Sequence, residues 1–498
     1  MKKILIILNV FILLLATTSC EDWLDVNEDP NNAAEATLEL VFPAAQASIT
    51  TVMSGELYNV GGFWSQLWDQ NPTANQYNGL STYNVTTGIG DNPWMEFYSG
   101  GLNDLQYVIE EAEANEDWGN YLAAVSMRAY MYQVLVDLFD QVPYTEALQG
   151  TEVLNPTFDE GSDVYEGILD ELDEALGKDL AGASVVSSDL FFDGQINTWV
   201  AFARTVKLKM LLRMSETSDP HTTELTTLLN GGNFLTVPAG IASNKYDPKN
   251  QNKRNPWYET NVSRLSGDGQ YSINHVGCYN FISYLQSKSD PRIDYLFYPS
   301  QNSGTHEGNW FGSSKSNPRF ESQDDFSTVK MAADHPSYIM LGSESLLLQA
   351  EAHARIGSDL TAVVKPLYDQ AVAVSFEELG VEAGAASYTS AGGSMEFTAT
   401  TLDEAIEQII MQKWVCLAHF NPLESWFEQS RTGYPNISNV PADDAAYVLG
   451  EWTSPLDNLL GDGNFPHRFY FPDAEVTSNN NTPSQIPNVS VKVWWDQN

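Results

Sequence analysis

Tryptophan and tyrosine residues recur in the polar, irregular stretches of this sequence, outside the periodic apolar runs that build a core. The chain contains 13 Trp, 23 Tyr and 22 Phe, so aromatic side chains are available for more than packing. An exposed indole or phenol can lie against the apolar face of a sugar ring, while amide, carboxylate and guanidinium groups hydrogen-bond its hydroxyls. These residue types therefore suit carbohydrate binding, and the alternative for each of them is ordinary loop packing.

The candidate binding residues lie in loops, because rings at helical spacing, such as Trp199, are expected in the core. Three stretches without clean periodicity carry them: an early loop (71–92), a first middle loop (236–273) and a second middle loop (298–336). Arg264 is the candidate cation, since a guanidinium fork gives directional donors. The predicted glycan-binding set is Asn75, Tyr77, Tyr83, Trp257, Tyr258, Arg264, Tyr271 and Trp310, with at least one Trp expected to be a platform.

Other chemistries have no motif in the sequence. There is no nucleophile elbow, no phosphate-binding loop, no dinucleotide fingerprint and no zinc-protease motif, and the seven histidines are scattered. We therefore expect no cofactor and no catalytic metal. A glycosidase stays open, since its two carboxylates need only be close in space. The oxygen-rich segment Asp457–Asn464 can bind calcium or form an ordinary turn, and Cys278 and Cys416 are expected to be buried and free.

The element expected to organise the fold is Asn120–Leu148. Apolar residues recur every three or four positions on two of its sides, which predicts a helix buried between other helices. Pro143 ends that helix because proline lacks the next backbone donor, and Tyr144–Leu148 is predicted to return as a second, short helix. A long helix, a sharp turn and a returning helix form the unit of a helical-repeat array.

The remaining periodic segments predict a mainly α fold with a tetratricopeptide-like helical-repeat scaffold and long irregular loops packed on it. Thr401 begins one helix with a capping box completed by Glu404. The other predicted helices are Leu40–Glu56, Phe63–Trp68, Pro93–Asn115, Asp163–Leu176, a basic amphipathic helix at Asn197–Ser215, Ile273–Lys288, Tyr338–Ile356 and Pro366–Leu379.

The charge of the chain excludes a nucleic-acid binder, whose affinity rests on neutralising phosphates. The sequence holds 66 acidic and 24 basic residues, a net charge of −42. Such a charge keeps a surface protein soluble and disfavours polyanionic ligands. A neutral polysaccharide or oligosaccharide, with a glucan favoured, is therefore the expected class of ligand.

The first residues have the pattern of a secretory leader. Lys2 and Lys3 precede an apolar run, and small residues lead to Cys20, as at a lipoprotein cleavage site. Residues 1–19 are accordingly predicted to be a signal peptide, 20–37 a lipidated cysteine with an acidic surface linker, and 38–498 a single α-helical domain. Removal of the two lysines leaves 22 basic against 66 acidic residues, a net charge near −44.

Several motifs resemble those of the SusD/RagB-type outer-membrane nutrient-binding lipoproteins, and they follow the order found in that family. The most specific is the run QKW, FNPLESW and SRTGYP between Gln412 and Pro435. The others are DVNEDPNN at Asp25–Asn32, DLFDQVPY at Asp137–Tyr144, SDPR at Ser289–Arg292, QAEA at Gln349–Ala352, RFYFPDAEV at Arg468–Val476 and KVWWD at Lys492–Asp496. The resemblance departs at Asp140, where the family often has glycine.

This resemblance implies a non-catalytic, cell-surface lipoprotein of the outer membrane that captures glycan and passes it to a SusC-like TonB-dependent transporter. It also implies a sugar site between the early and middle loops, in agreement with the candidate set. Two alternatives stay open: a surface polysaccharide hydrolase, which glycan turnover would reveal, and a module for peptide or protein cargo, which a competing peptide would reveal.

We expect Cys20→Ala to release the protein from the membrane, because the acyl chains on that thiol supply the anchor at about 0.8 kcal/mol per buried CH₂. Fractionation of cells that express each form measures the effect. Complete retention of the variant in the outer membrane would place the anchor elsewhere.

Overall fold

The helix Trp118–Phe139 lies inside the fold because both of its long sides are apolar. Asp117 caps its start by accepting a hydrogen bond from the Asn120 amide, and 20 of its 22 residues are buried. The computed structural model describes residues 36–313, 322–382, 384–461 and 463–498. It is mainly helical, with tetratricopeptide-like helix pairs, as the sequence predicts.

The helices and strands are numbered in chain order. The α-helices are α1 Leu38–Met53, α2 Glu56–Trp64, α3 Asn78–Ser81, α4 Asp91–Met95, α5 Asn103–Ala114, α6 Trp118–Phe139, α7 Gly161–Leu176, α8 Ile196–Arg213, α9 Thr222–Gly231, α10 Pro256–Tyr258, α11 Tyr279–Ser287, α12 Ile293–Leu296, α13 Gly342–Arg355, α14 Lys365–Leu379, α15 Ala386–Thr389, α16 Leu402–Leu417, α17 Pro422–Thr432 and α18 Asp473–Ser478. The strands are β1 Trp68–Gln70, β2 Ala239–Ile241, β3 His275–Gly277, β4 Phe297–Tyr298, β5 Thr328–Val329 and β6 Ser337–Met340. Glu96–Leu102, Glu259–Arg264 and Leu360–Val364 are π-helical, and Thr87–Gly90, Ser243–Lys245, Gln251–Lys253 and Gln323–Asp325 are 3-10 turns.

Neighbouring helices pack as pairs that together form the scaffold. α5 packs on α6, α6 on α7 and α8, α13 on α14 and α16, and α16 on α17. Val164, Ile168 and Leu172 of α7 are fully buried on one face, as the spacing of its apolar residues predicts. The scaffold therefore follows from helix amphipathicity.

Charged side chains fill the place where five scaffold helices meet. Lys209 of α8 contacts Glu344 of α13 (Nζ–Oε1 2.6 Å) and Glu424 of α17 (3.2 Å). Arg213, one turn further along α8, contacts Glu424 and also Glu428 (2.8 Å). The same network includes Asp137, Glu351, Lys413 and Arg431, and each of these side chains is at most 3% exposed.

The burial of these charges is balanced by opposite charges at short range. Burial opposes ionisation of Glu424, but Arg213 and Lys209 outweigh it and hold the pKa of Glu424 below its usual value. Arg431 donates to both oxygens of Glu351, at 2.6 and 2.8 Å, and this carboxylate holds the pKa of Arg431 above its usual value against the effect of burial. The network thus fixes α6, α8, α13, α16 and α17 in one mutual arrangement.

Asp137 connects this network to the end of the chain. One carboxylate oxygen accepts hydrogen bonds from the Tyr165 hydroxyl (2.6 Å) and the Trp495 indole (2.7 Å). The other accepts from Gln133 (2.9 Å) and Arg213 (3.1 Å). Four donors satisfy the buried carboxylate, which explains how an aspartate can be buried in this mainly apolar helix.

A small antiparallel sheet with the strand order β1-β3-β5-β4 lies beside the scaffold. Trp68 pairs with Gly277 and Gln70 with His275, Val276 pairs with Thr328, and Phe297 pairs with Val329. β2 and β6 form a separate antiparallel pair with a register shift at Ala239/Gly240.

Four predicted helices differ from the structure. One of them, Tyr338–Ile356, begins as strand β6 and becomes helical only from Gly342. Tyr144–Leu148 forms turns, because the Asp159 carboxylate accepts from the amides of Tyr144 and Thr145 (both 2.9 Å) and diverts the backbone. The helix expected at Phe63–Trp68 ends at Trp64, since Gln66 adopts a positive φ of 55° and Trp68 joins the sheet. Ile273–Lys288 begins as β3 and becomes helical only from Tyr279.

The N-terminal predictions lie outside the described residues, so Cys20 and the linker stay as predicted. Within the described ranges no helix is long and apolar enough to cross a membrane. Cys278 and Cys416 are buried free thiols, as expected.

We expect Arg213→Met to destabilise the protein by about 3–5 kcal/mol, because it leaves buried carboxylates of Asp137, Glu424 and Glu428 without their shared cation. Lys245→Met is the control, since Lys245 pairs with Asp193 at an exposed site (Nζ–Oδ1 2.9 Å), where an ion pair contributes about 0–1 kcal/mol. Denaturant unfolding of both variants measures the difference. Equal, small effects would show that the network does not stabilise the fold.

Candidate functional site

The small sheet brings the early and middle loops together. The early loop leaves the end of β1, and the first middle loop leads into the start of the neighbouring β3. The second middle loop begins at the end of β4, and its Asn309 forms a bridge with Cys278 just after β3. Since each strand has only two or three residues at about 3.3 Å per residue, loops from both ends of the sheet lie close to one another.

Direct hydrogen bonds join the early loop to the first middle loop. The Asn71 amide donates to the Asn274 carbonyl (2.8 Å), and the Asn71 side chain donates to the Ile273 carbonyl (2.7 Å). Further along, the Tyr77 hydroxyl donates to Asn261 Oδ1 at 2.6 Å. Two candidate loops are therefore locked to each other by residues on both sides.

A cleft of about 480 Å³ lies where the early loop and the first middle loop face α1 and α2. Its polar and aromatic lining includes Glu56, Asn59, Tyr77, Glu96, Thr260 and Asn261. Burial raises the pKa of Glu56, and burial together with Glu56 raises the pKa of Tyr77 to about 12. The Tyr77 hydroxyl is therefore a neutral group that can take part in hydrogen bonds to a ligand.

His275 organises the aromatic residues behind this cleft. Its ring lies 4.8 Å from Trp257 and 5.1 Å from Tyr77, centroid to centroid. Its Nε2 donates to Asn59 Oδ1 (2.6 Å), because that carbonyl oxygen can only accept, and the Ser272 hydroxyl bonds to Nδ1 (2.7 Å). Burial lowers the pKa of His275 to about 3, so the imidazole is neutral and acts as packing.

Tyr271 belongs to a second group of rings at the rim of the loops. Its ring centroid lies 6.4 Å from that of Tyr298, and the Gln301 amide donates to its hydroxyl. The Lys330 ammonium lies 5.5 Å from the Tyr298 ring centroid. Tyr271 and Tyr298 are both half-buried, so each offers part of a ring to solvent.

Trp310 is half-buried and lies on a segment that hydrogen bonds to the Asp69 carboxylate hold in place. The Asp69 Oδ2 atom accepts from the Asn309 side chain (2.8 Å) and from the Gly312 amide (3.1 Å), on either side of the tryptophan. Asn309 is also fixed to the sheet, since its amide donates to the Gly277 carbonyl (2.8 Å). This anchoring gives Trp310 a defined position.

Three further predicted residues are open to solvent. Asn75 is exposed, and Tyr258 is half-buried with the Arg254 guanidinium 5.8 Å from its ring centroid. The Arg264 side chain is 71% exposed and contacts Glu259 (3.3 Å). We call Tyr77, Tyr258, Tyr271, Trp310 and the residues around them the loop surface.

Two predicted contact residues are corrected by the structure. Trp257 is 0% exposed, and Tyr83 is 2% exposed between Phe311 and Phe465 (5.7 and 5.8 Å). Trp257 borders the cleft only from behind, so neither ring offers a face to a sugar. Both were predicted to bind because they lie in polar sequence, yet the early loop and α10 fold inward and bury them.

Other residues of the loop surface were not predicted. Asn261, Tyr298 and Gln301 lie beside predicted residues, and Tyr298 had the same signal, an aromatic ring in a polar loop. The calcium alternative for Asp457–Asn464 stays open, because Asp462 lies outside the described ranges. Within those ranges no three acidic, histidine or cysteine residues are grouped as metal ligands.

Comparison with known proteins finds a matching family and solved structures of the same fold. The model of a SusD-like family, described as starch-binding and associating with the outer membrane, matches residues 30–472. The chain is similar to a SusD homologue from Bacteroides uniformis, with a TM-score of 0.75 and 21% identity over 92% of this chain and 100% of that one. It is also similar to a chitin-binding SusD homologue from Flavobacterium johnsoniae, with a TM-score of 0.73 and 21% identity over 93% and 99%. A search of curated proteins found no match.

We expect Asp69→Asn to remove a pH-dependent part of the stability. Burial raises the pKa of Asp69 from 3.8 to about 7. Between these values the folded state keeps a proton that the unfolded state has lost, so the stability of the native protein falls as pH rises, by about 1.4 kcal/mol per unit. The carboxamide of the Asp69→Asn variant does not titrate, so the stability of the variant lacks this dependence on pH.

Denaturant unfolding of both forms at several values between pH 4.5 and 7 tests this difference. The free energy of unfolding of the variant should increase relative to that of the native protein as the pH rises. Parallel curves would show that Asp69 is ionised throughout and that its hydrogen-bond donors outweigh its burial.

Proposed function

This chain belongs to the SusD-like family, whose model is described as starch-binding and associated with the outer membrane, and from that premise we propose that it captures glycan on the loop surface without cleaving it. The bound oligosaccharide or polysaccharide then passes to a SusC-like TonB-dependent transporter. The partner is inferred from the family, while the site is inferred from this chain's own residues.

The observation that carries the proposal is that one small sheet fixes three loops, each of which carries a partly exposed ring. Each of three loops supplies one ring: Tyr77, Tyr271 and Trp310. The Tyr77 hydroxyl donates to Asn261, and the Gln301 amide donates to the Tyr271 hydroxyl. Asp69 holds the backbone segment that carries Trp310. Aromatic rings with few rotatable bonds lose little entropy on binding. Preorganised rings with amides beside them suit the alternating apolar and hydroxyl faces of a sugar chain.

The charge near the cleft favours a neutral glycan. Glu56 and Glu96 line it, and the whole chain carries −42. Bringing uronate or sulfate groups to this surface would place like charges together, which lowers affinity. We therefore propose a neutral polymer, with a glucan favoured, as the ligand.

The anchoring part of the proposal rests on the leader and Cys20. A lipid-bearing cysteine followed by Glu21, Asp22 and Asp25 would hold the domain at the outer surface of the membrane. Turnover of a glycan by the purified protein would instead favour a hydrolase, and displacement of sugar by a peptide would favour the cargo alternative.

We expect Trp310→Ala and Tyr271→Ala each to weaken binding of a neutral glucan about tenfold, because each removes a stacking ring. The scale is taken from nucleic-acid bases, for which stacking on an aromatic side chain contributes about 1–3 kcal/mol. Retardation of the protein in native gels that contain the glucan measures the affinity. The melting temperature should change little, since both rings are only half-buried.

Two controls separate binding from folding. Trp118→Ala removes an equally half-buried tryptophan at the start of α6, outside the loop surface, and should leave affinity unchanged. Trp257→Ala empties a buried site and should cost about 3–5 kcal/mol of stability. Normal affinity in folded Trp310→Ala and Tyr271→Ala proteins would place the glycan elsewhere.

A further inference from the structure

A separate cavity of about 390 Å³ lies between the end of α11, helix α16 and the chain around Gly450. It shares no described lining residue with the early or middle loops. Four buried residues form its inner wall: Tyr284, Tyr368, Met395 and Gln412. Pockets that hold small molecules typically have about 300–1,000 Å³, so this one has room for one or two sugar rings.

Tyr284 gives the cavity an unused hydrogen-bonding group. The residue is 7% exposed, and its ring packs on Trp414 with centroids 5.7 Å apart. Within the described part of the chain its hydroxyl has no protein partner, although buried tyrosine hydroxyls usually find one. Because Tyr284 lines the cavity, a molecule bound there can supply that partner.

Gly450 is required for this wall. Its φ is +96°, and a Cβ there would lie 2.7 Å from the Tyr284 ring. A side chain at this position would therefore push the tyrosine out of place or the backbone away from it. The close approach of the glycine backbone holds one side of the cavity.

The rim adds a cation and a carboxylate. The Lys288 ammonium lies 5.9 Å from the Tyr284 ring centroid, and its charge also acts on the half-buried Glu407 carboxylate, where it opposes the rise of the pKa. Burial, followed by the nearby Asp403, raises the pKa of Glu407. The rim thus offers a donor and an acceptor beside the inner wall.

The remaining rim residues limit the charge of a ligand. Glu451 is half-buried, while Glu396 already accepts from the Gly392 amide (2.6 Å). These carboxylates disfavour an anion, and Lys288 beside Tyr284 disfavours a cation at the inner wall. Exposed Val448 and Leu449 (58% and 46%) give the entrance an apolar edge. Such a mixed lining matches an uncharged, polyhydroxylated molecule.

We propose that this cavity is a second saccharide site, which takes one or two rings of a neutral glycan independently of the loop surface. Tyr284 and Lys288 donate to sugar hydroxyls, and Glu407 accepts from them. The rings of Tyr284 and Tyr368 and the methylene groups of Met395 face the apolar side of the sugar, while the Met395 sulfur accepts from the buried Arg292 guanidinium (3.7 Å).

The test uses the full-length protein carrying Trp310→Ala and Tyr271→Ala, so that the loop surface is disabled. Maltotriose and cellotriose are the neutral probes and glucosamine is the cationic one, and ligand-observed NMR titration gives each dissociation constant. Further variants add Tyr284→Phe or Lys288→Met. Tyr388→Phe and Lys245→Met, which do not line the cavity, are the matched controls.

The expected result is that the loop-disabled protein still binds a neutral trisaccharide. Tyr284→Phe and Lys288→Met should then each weaken that binding about tenfold, with both controls unchanged. Since Tyr284→Phe keeps the ring that packs on Trp414, it should fold normally.

Several outcomes would overturn the proposal. One is loss of all neutral-sugar binding in the loop-disabled protein while the native protein binds. Others are equal affinities with and without the cavity variants, glucosamine binding more tightly than both neutral sugars, or no binding of either trisaccharide by any form. A further outcome is that the loop-disabled and native proteins bind equally and only the cavity variants lose affinity. That result would show that the cavity binds the sugar and that the loop surface does not.

Discussion

Arg213 and Arg431 lie at a buried meeting point of five helices, and each faces carboxylates that are themselves buried. A buried charge without a partner costs several kcal/mol, so these helices are stable together only when every partner is in place. Arg213 pairs with carboxylates on α6 and α17, Lys209 pairs with carboxylates on α13 and α17, and Arg431 pairs with a carboxylate on α13. Charge pairing thus specifies one arrangement of the scaffold, in addition to the non-directional burial of its apolar faces.

The scaffold then places the loops through a short chain of contacts. Gly61 of α2 lies so close to α17 that a Cβ there would be 2.3 Å from the Leu423 amide nitrogen. The Trp414 indole of α16 donates to the Ser65 carbonyl (2.8 Å), and the Gln66 side chain donates to the Thr453 carbonyl (2.8 Å). These contacts fix the turn that leads into β1, from which the early loop departs. The position of the loop surface therefore depends on the ionic centre of the fold.

Sequence periodicity predicted the scaffold, because the amphipathicity of a helix depends on residues only three or four positions apart in the sequence. The amphipathic α7 and the doubly apolar α6 were both expected, and the capping box at Thr401 is present. The ionic network was not predicted. Lys209 and Arg213 were expected on a basic amphipathic helix, yet they are buried, because their partners lie between 76 and 215 residues away in sequence. The motifs that carry the family resemblance, including those with Asp137, Glu351, Lys413, Glu424, Arg431 and Trp495, map largely to this network. They identify the scaffold and say little about the ligand. For the same reason, polar sequence around Trp257 and Tyr83 did not reveal that both rings turn inward.

We propose that this strongly acidic protein binds an uncharged glycan on preorganised aromatic loops. A glycan array probed with the acyl-free protein at low and high ionic strength measures this directly. We expect binding to neutral polysaccharides, glucans among them, with an affinity that low ionic strength does not increase. A preference for alginate-like polyanions that weakens with salt would contradict it.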